Sequence, residues 1–266
     1  MTPKFPRAKR SLGQHFLHDA GYCRRMVRLA APTGRDTVIE IGPGTGQLTR
    51  LILERARNVV AIEFDRDLAE HLKRSLRPES LPRLTLIQSD VLDLDWAATF
   101  PEAPVKLVAN LPYNIATAVL TKMIPFGHRF HSFTFMVQKE VAERILARPG
   151  SKSYGYLTLV LQHRFSRIRG FDVPAGAFAP PPEVRSHAMQ LIPRPRPANL
   201  PCHDRFLRLI RTGFSQRRKT LRNNLRSLFG PWKGRLEPAF ENAGIEPRQR
   251  AEEVSLEQFV CLARML

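Results

Sequence analysis

The sequence predicts an α/β fold: a mostly parallel, twisted sheet wrapped by helices, followed by a small all-α C-terminal domain. Three observations carry this. Between Thr37 and Val137, short β-rich apolar runs alternate with helical patterns, as expected of parallel strands joined by crossover helices. The first run ends in a glycine-rich turn that opens into a helical pattern. Beyond a proline-rich seam the 3.6-residue period dominates and strand patterns disappear.

The elements follow in order. Thr37-Val38-Ile39-Glu40-Ile41 reads as a buried strand stopped by Gly42, and Gln47 to Ala56 as a helix. Asn58 to Glu63 is a second strand and Asp65 to Ser75 a second helix. Leu84 to Ile87, Val105 to Ala109 and His131 to Val137 are further strands. Pro193, Pro195, Pro197 and Pro201 then fall too close together for a helix or a central strand. Residues 193–201 therefore read as an extended linker between a domain at 1–192 and a helical domain at 202–266, with a basic arm at about 1–10.

The chain has 266 residues and 30.3 kDa, enough to bury a core without disulfides or metal. Lys+Arg is 42 against Asp+Glu 24, a formal charge of +18 with a pI near 10.9. A polyanion relieves such self-repulsion, so nucleic acid is the leading partner and a membrane surface the second. The longest uncharged apolar stretch, Leu107 to Thr121, carries Pro112 and two asparagines and is too short to span a bilayer. Cys23, Cys202 and Cys261 are far apart and odd in number, which reads as idle thiols in a reducing cytoplasm, with no disulfide framework and no metal site. Met1 to Arg10 contains two prolines and no apolar run, so it is not a secretory signal.

The turn Gly42-Pro43-Gly44-Thr45-Gly46 lets the backbone bend sharply and lets a ligand approach the helix N-terminus. Its GxGxG spacing differs from the nicotinamide fingerprint GxGxxG, and alone it is also compatible with an ordinary tight turn. Glu63 closes the next strand, where an acid faces the ribose hydroxyls of a nucleoside in doubly wound sheets; its bland role is a helix N-terminal charge. Asp90 follows the third strand, where it can accept from an adenine amine or simply cap a turn. Together the three features line one sheet edge and fit a nucleoside without phosphates.

Asn110-Leu111-Pro112-Tyr113 follows the fourth strand. An aromatic amine is a poor nucleophile because its lone pair is delocalised. Two neutral acceptors, the Asn110 side-chain oxygen and the Leu111 carbonyl, would hold both N–H bonds and draw the nitrogen toward tetrahedral geometry. Pro112 fixes the turn, and Tyr113 offers a stacking face for a flipped base.

Taken together, Gly42-Pro43-Gly44-Thr45-Gly46, Glu63, Asp90 and Asn110-Leu111-Pro112-Tyr113 resemble the S-adenosylmethionine-dependent rRNA adenine N6-dimethyltransferases. Leu12-Gly13-Gln14-His15-Phe16-Leu17 is similar to the motif that closes over the methionine part of that cofactor, which implies Gln14, His15 and Leu17 beside Gly42, Gly44, Gly46, Glu63, Asp90 and Asn110 at the cofactor. Phe178 to Ser186 resembles the segment whose phenylalanine, here Phe178, lies on the far side of the target base. Phe214 to Asn223 and Gln138 to Ala142 resemble the KsgA type. The resemblance implies a Rossmann-like methyltransferase fold and a ribosome-biogenesis enzyme that dimethylates two adjacent adenosines near the 3′ end of 16S rRNA in the small ribosomal subunit. A monomer in the cytoplasm, without metal, is the expectation.

From Arg205 to Arg226 there are eight basic residues and no acid. Arg218, Arg222 and Arg226 fall at i, i+4 spacing, which predicts one helix face. With Arg217 and Lys219 they form a candidate phosphate-tracking surface, although a solvated amphipathic helix has the same pattern. Lys4, Arg7, Lys9 and Arg10 would add a second RNA contact. The alternatives are a methylase of large-subunit rRNA and a non-catalytic rRNA-binding assembly factor; a nicotinamide dehydrogenase fails on glycine spacing.

Overall fold

The computed structural model describes residues 8–9, 12–100, 104–194, 203–226 and 234–265. Most of the expected basic arm and of the linker at 193–201, together with Cys202, lies outside them. Packing divides the chain into two compact units, Met1–Ala142 with Ser166–Pro193, and Glu143–Phe165 with Arg194–Leu266.

The first unit is built on a seven-stranded sheet of β2 (Thr37–Ile41), β3 (Asn58–Glu63), β4 (Leu84–Gln88), β5 (Val105–Asn110), β6 (Phe130–Gln138), β7 (Phe165–Val173) and β9 (Ser186–Pro193). Its order is β4-β3-β2-β5-β6-β9-β7. β2 through β6 run parallel and β9 lies antiparallel to β6. Val38, Ile39, Leu107 and Val108 are fully buried, as expected of parallel strands covered on both faces. Helices α1 (Ala20–Ala30), α2 (Gln47–Leu53), α3 (Arg66–Ser75), α4 (Trp96–Thr99) and α5 (Ala116–Met123) belong to this unit. Asp19 and Asp65 cap α1 and α3 with their carboxylates. A separate two-stranded sheet pairs β1 (Phe16–Leu17) with β8 (Phe178–Ala179).

The chain goes outward from β2 through β3 to β4, then returns to β5 on the other side of β2. The crevice at such a reversal is where open α/β sheets bind ligands. Here it lies between the loops after Ile41 and after Asn110. The expected strands all form, each at its sequence position or within a residue of it. Two strands of the seven-stranded sheet, β7 and β9, went unread because proline clusters bracket β9 and polar residues interrupt β7, and so did the short β1 and β8.

The second unit corrects the continuous boundary expected at 192. Helix α6 (Lys139–Leu146) crosses the division at residue 142, and α7 (Tyr156–Arg164) packs with α8 (His203–Gly213) and α11 (Leu256–Arg264). Leu157, Thr158, Leu159, Val160, Leu161 and His163 of α7 are all buried. A helix whose buried residues run around it needs neighbours on more than one side, so this stretch joins the helical unit. α9 (Leu221–Leu225) and α10 (Leu236–Asn242) complete it, around Phe206, Leu209, Ile210, Leu225 and Phe259.

Candidate active site

The glycine turn holds three left-handed residues, Gly42, Gly44 and Gly46, with φ of 67°, 56° and 80°, a region L side chains avoid. A Cβ on Gly44 would come within 3.2 Å of the Phe16 ring. Gly42 and Gly44 line the cleft. Gly46, expected at the cofactor, does not line it and caps α2 instead. A Cβ there would lie 2.6 Å from the Leu72 side chain, so its smallness serves helix packing.

Glu63 is 5% exposed. Its Oε2 accepts from the Gly44 N–H at 3.0 Å and its Oε1 from the Asp65 N–H at 2.9 Å. Burial raises its carboxyl above the ordinary range, while these two donors pull the other way. Asp90 lines the same cleft and caps its own turn by accepting from the Leu92 N–H at 2.8 Å. Phe64 also lines the cleft and is 56% exposed. Sequence reasoning passed over it, although an aromatic directly after the acidic strand end was the available signal.

Gln14 reaches the cleft wall, but its amide is engaged with protein groups. Nε2 donates to Asp65 at 3.1 Å and Oε1 accepts from the Lys9 N–H at 2.7 Å. Lys9 Nζ is 2.8 Å from both Asp65 and Asp67, so this exposed member of the basic arm is paired with two acids. Gln14 therefore shapes the loop that carries His15.

At the reacting loop, the Asn110 Nδ2 donates to the His15 carbonyl at 3.1 Å. Leu111 is buried, with its N–H donating to the Met136 carbonyl at 3.3 Å. Pro112 and Tyr113 line the cleft, and the Tyr113 hydroxyl meets Ser186 Oγ at 2.6 Å. The His15 and Tyr113 rings stack with centroids 5.3 Å apart. His15 Nδ1 is 2.9 Å from the Pro180 carbonyl. A carbonyl only accepts, so Nδ1 carries the proton and Nε2 is the ring nitrogen left for any cofactor contact.

Leu17 and Phe178, also expected at the site, have buried side chains. They are 4% and 2% exposed, face each other in the β1–β8 pair and pack in the core with Cys23, Val173 and Ala177. Neither lines the cleft. Phe16 and His15, one and two residues earlier, do so instead.

In the second unit the basic residues do not share one helix face. Arg218 and Lys219 are exposed in the turn before Thr220, the N-cap of α9, and Arg226 follows that short helix. Arg222 is paired with Glu237, and Arg217 donates to the Lys152 carbonyl at 3.2 Å. The Asn224 amide fastens the turn by donating to the Gly213 and Gln216 carbonyls at 2.6 and 3.1 Å. Among the described residues no His, Cys, Asp and Glu cluster is suited to a metal ion, and no helix is long and apolar enough to cross a membrane.

The chain is similar to known proteins along nearly its whole length. The family model for ribosomal RNA adenine dimethylase matches residues 6–266. Ribosomal RNA small subunit methyltransferase A from Xanthomonas oryzae is 42% identical over 261 residues, 97% of this chain and 96% of that one. The protein of the same name from Acinetobacter baylyi is 39% identical over 262 residues, 97% of this chain and 92% of that one. Among solved structures, a dimethyladenosine transferase from Plasmodium falciparum matches with a TM-score of 0.78 at 26% identity, over 93% of this chain and 96% of that chain. The 23S rRNA methyltransferase ErmE matches with a TM-score of 0.72 at 26% identity, over 94% and 99%.

Proposed function

This chain belongs to the ribosomal RNA adenine dimethylase family, and from that premise we propose that it transfers methyl groups from S-adenosylmethionine to the N6 amines of two adjacent adenosines. The substrate is the hairpin loop near the 3′ end of 16S rRNA, the product N6,N6-dimethyladenosine and the setting small-subunit biogenesis in the cytoplasm, with the enzyme acting as a monomer. Support for the small subunit comes from the names of the relatives near 40% identity.

The residues present fit the cofactor. Gly44 leaves a cradle that a Cβ would fill, Glu63 presents a buried carboxylate at the strand end, and Phe64 and Asp90 border the same cleft. Glu63 would take the ribose hydroxyls, and Asp90 and Phe64 the adenine amine and face. S-adenosylmethionine supplies an electrophilic methyl group on a sulfonium. The observation that carries the reading is the orientation of the Asn110 amide. With Nδ2 given to the His15 carbonyl, Oδ1 is the pole that accepts from an exocyclic N–H. The Leu111 carbonyl is the second acceptor and the Tyr113 face stacks the extruded base. Catalysis is then positioning of a neutral amine by neutral acceptors.

The test supplies the protein with tritiated S-adenosylmethionine and either 16S or 23S rRNA, free and in subunits, followed by mass spectrometry of the nucleosides. Dimethyladenosine in 16S material is expected. Label confined to 23S rRNA would move the activity to the large subunit, and no label in any RNA would favour a non-catalytic assembly factor.

A further inference from the structure

Tyr113 stands on the loop after β5 and Ser186 opens β9, yet β6 lies between those strands. The 2.6 Å contact of their hydroxyls therefore reaches across the end of β6. Ser186 is fully buried and pairs with Gln138 in the β6–β9 ladder. Its neighbours are fastened as well. The Arg185 carbonyl accepts from the Lys139 N–H at 2.9 Å, and His187 Nδ1 is 2.6 Å from Asp172 Oδ1. Asp172 Oδ2 in turn takes Lys139 Nζ at 2.8 Å. The serine hydroxyl is thus mounted on backbone held from both sides.

Tyr113, by contrast, sits on a loop, where its ring has two torsions to lose. The hydroxyl contact fixes the para end of the ring and His15 lies against its face. We propose that Ser186 is a positioning residue for methyl transfer, holding the Tyr113 ring in the plane on which the target adenine stacks. The proposal rests on the reading of Tyr113 as the stacking face. It gives the serine that closes the Phe178-to-Ser186 segment a task distinct from binding either substrate. Small displacements of a positioning group are costly in rate.

The test is a two-residue cycle with Ser186→Ala and Tyr113→Phe, which remove the same hydrogen bond from opposite ends. Each should lower the single-turnover rate at saturating cofactor and RNA by about tenfold, the size expected of one well-formed hydrogen bond made to count in the transition state. Cofactor affinity should change less than about twofold, and the double variant should be no slower than the worse single. A merely structural role would lower the melting temperature and leave that rate at saturation unmoved. A wild-type rate in Ser186→Ala, or a double variant showing the product of the two losses, overturns the proposal. If Ser186→Ala does not fold, Tyr113→Phe decides, since a wild-type rate there is equally fatal. A wild-type protein that methylates no RNA would overturn the functional reading and this proposal with it, whereas a normal wild type with unaffected variants overturns this proposal alone.

Discussion

The Asn110 side-chain nitrogen donates to the His15 backbone carbonyl across 3.1 Å, joining the reacting loop to the N-terminal motif 95 residues earlier. A carbonyl has no proton to give, so the amide has one chemically sensible orientation.

Asn110→Ala should therefore remove most methyl transfer, a loss of ~2.7–4 kcal/mol if the acceptor matters as much as an oxyanion-hole donor. Asn110→Asp should keep cofactor affinity and lose rate, because a carboxylate has no N–H for the His15 carbonyl and attracts a sulfonium in the ground state. Single-turnover rates beside calorimetric cofactor titrations check both.

Glu63→Ala should weaken S-adenosylmethionine binding by roughly tenfold to a hundredfold, from loss of a charge-assisted hydrogen bond worth ~1.5–3 kcal/mol. The same carboxylate accepts from Gly44 and Asp65, so the melting temperature should fall too. Unchanged calorimetric affinity would remove Glu63 from the cofactor site.

Glu40 lies buried in β2, and burial, with the Glu63 charge adding to it, pushes its carboxyl from 4.5 up to about 8. Between those values the folded chain keeps a proton that the unfolded chain has released. The stability this contributes is fully present below about pH 4.5 and is lost as pH rises through about 8. Melting curves between about pH 5 and pH 9 should show that decline, and Glu40→Gln should flatten it. Parallel profiles for both proteins would refute the assignment.

Arg218 and Lys219 are exposed, whereas Arg222 already pairs with Glu237. Replacing Arg218 and Lys219 by Ala should reduce the slope of log RNA affinity against log salt by about 1–2. Arg222→Ala should change it less. Filter-binding titrations over a salt series measure this, and an equal slope in the double variant would leave these residues as a solvated turn.

Phe178→Ala should behave as a core truncation, costing about 3–5 kcal/mol of stability, because the ring is 2% exposed and packed among Leu17, Cys23 and Val173. Chemical denaturation reports it. Unchanged stability with lost RNA turnover would return Phe178 to the base site.

What the sequence determined by itself was the set of groups at the sheet edge. Parallel strands all end on the same side, so residues at the ends of such strands, Gly42 after β2, Glu63 closing β3 and Asn110 closing β5, lie along one edge, and local patterns suffice to find strand ends. Only the tertiary structure decided what faces Tyr113. His15 against its ring and Ser186 at its hydroxyl depend on β1 pairing with β8 and on β9 lying antiparallel beside β6. Those are pairings between segments far apart in the chain, and no local period encodes them. The same holds for Phe178, whose burial follows from its register opposite Leu17. The attachment of residues 143–165 to the helical unit was likewise set by neighbours, since the apolar residues of α7 are spread around the helix and its sequence names no single face to bury.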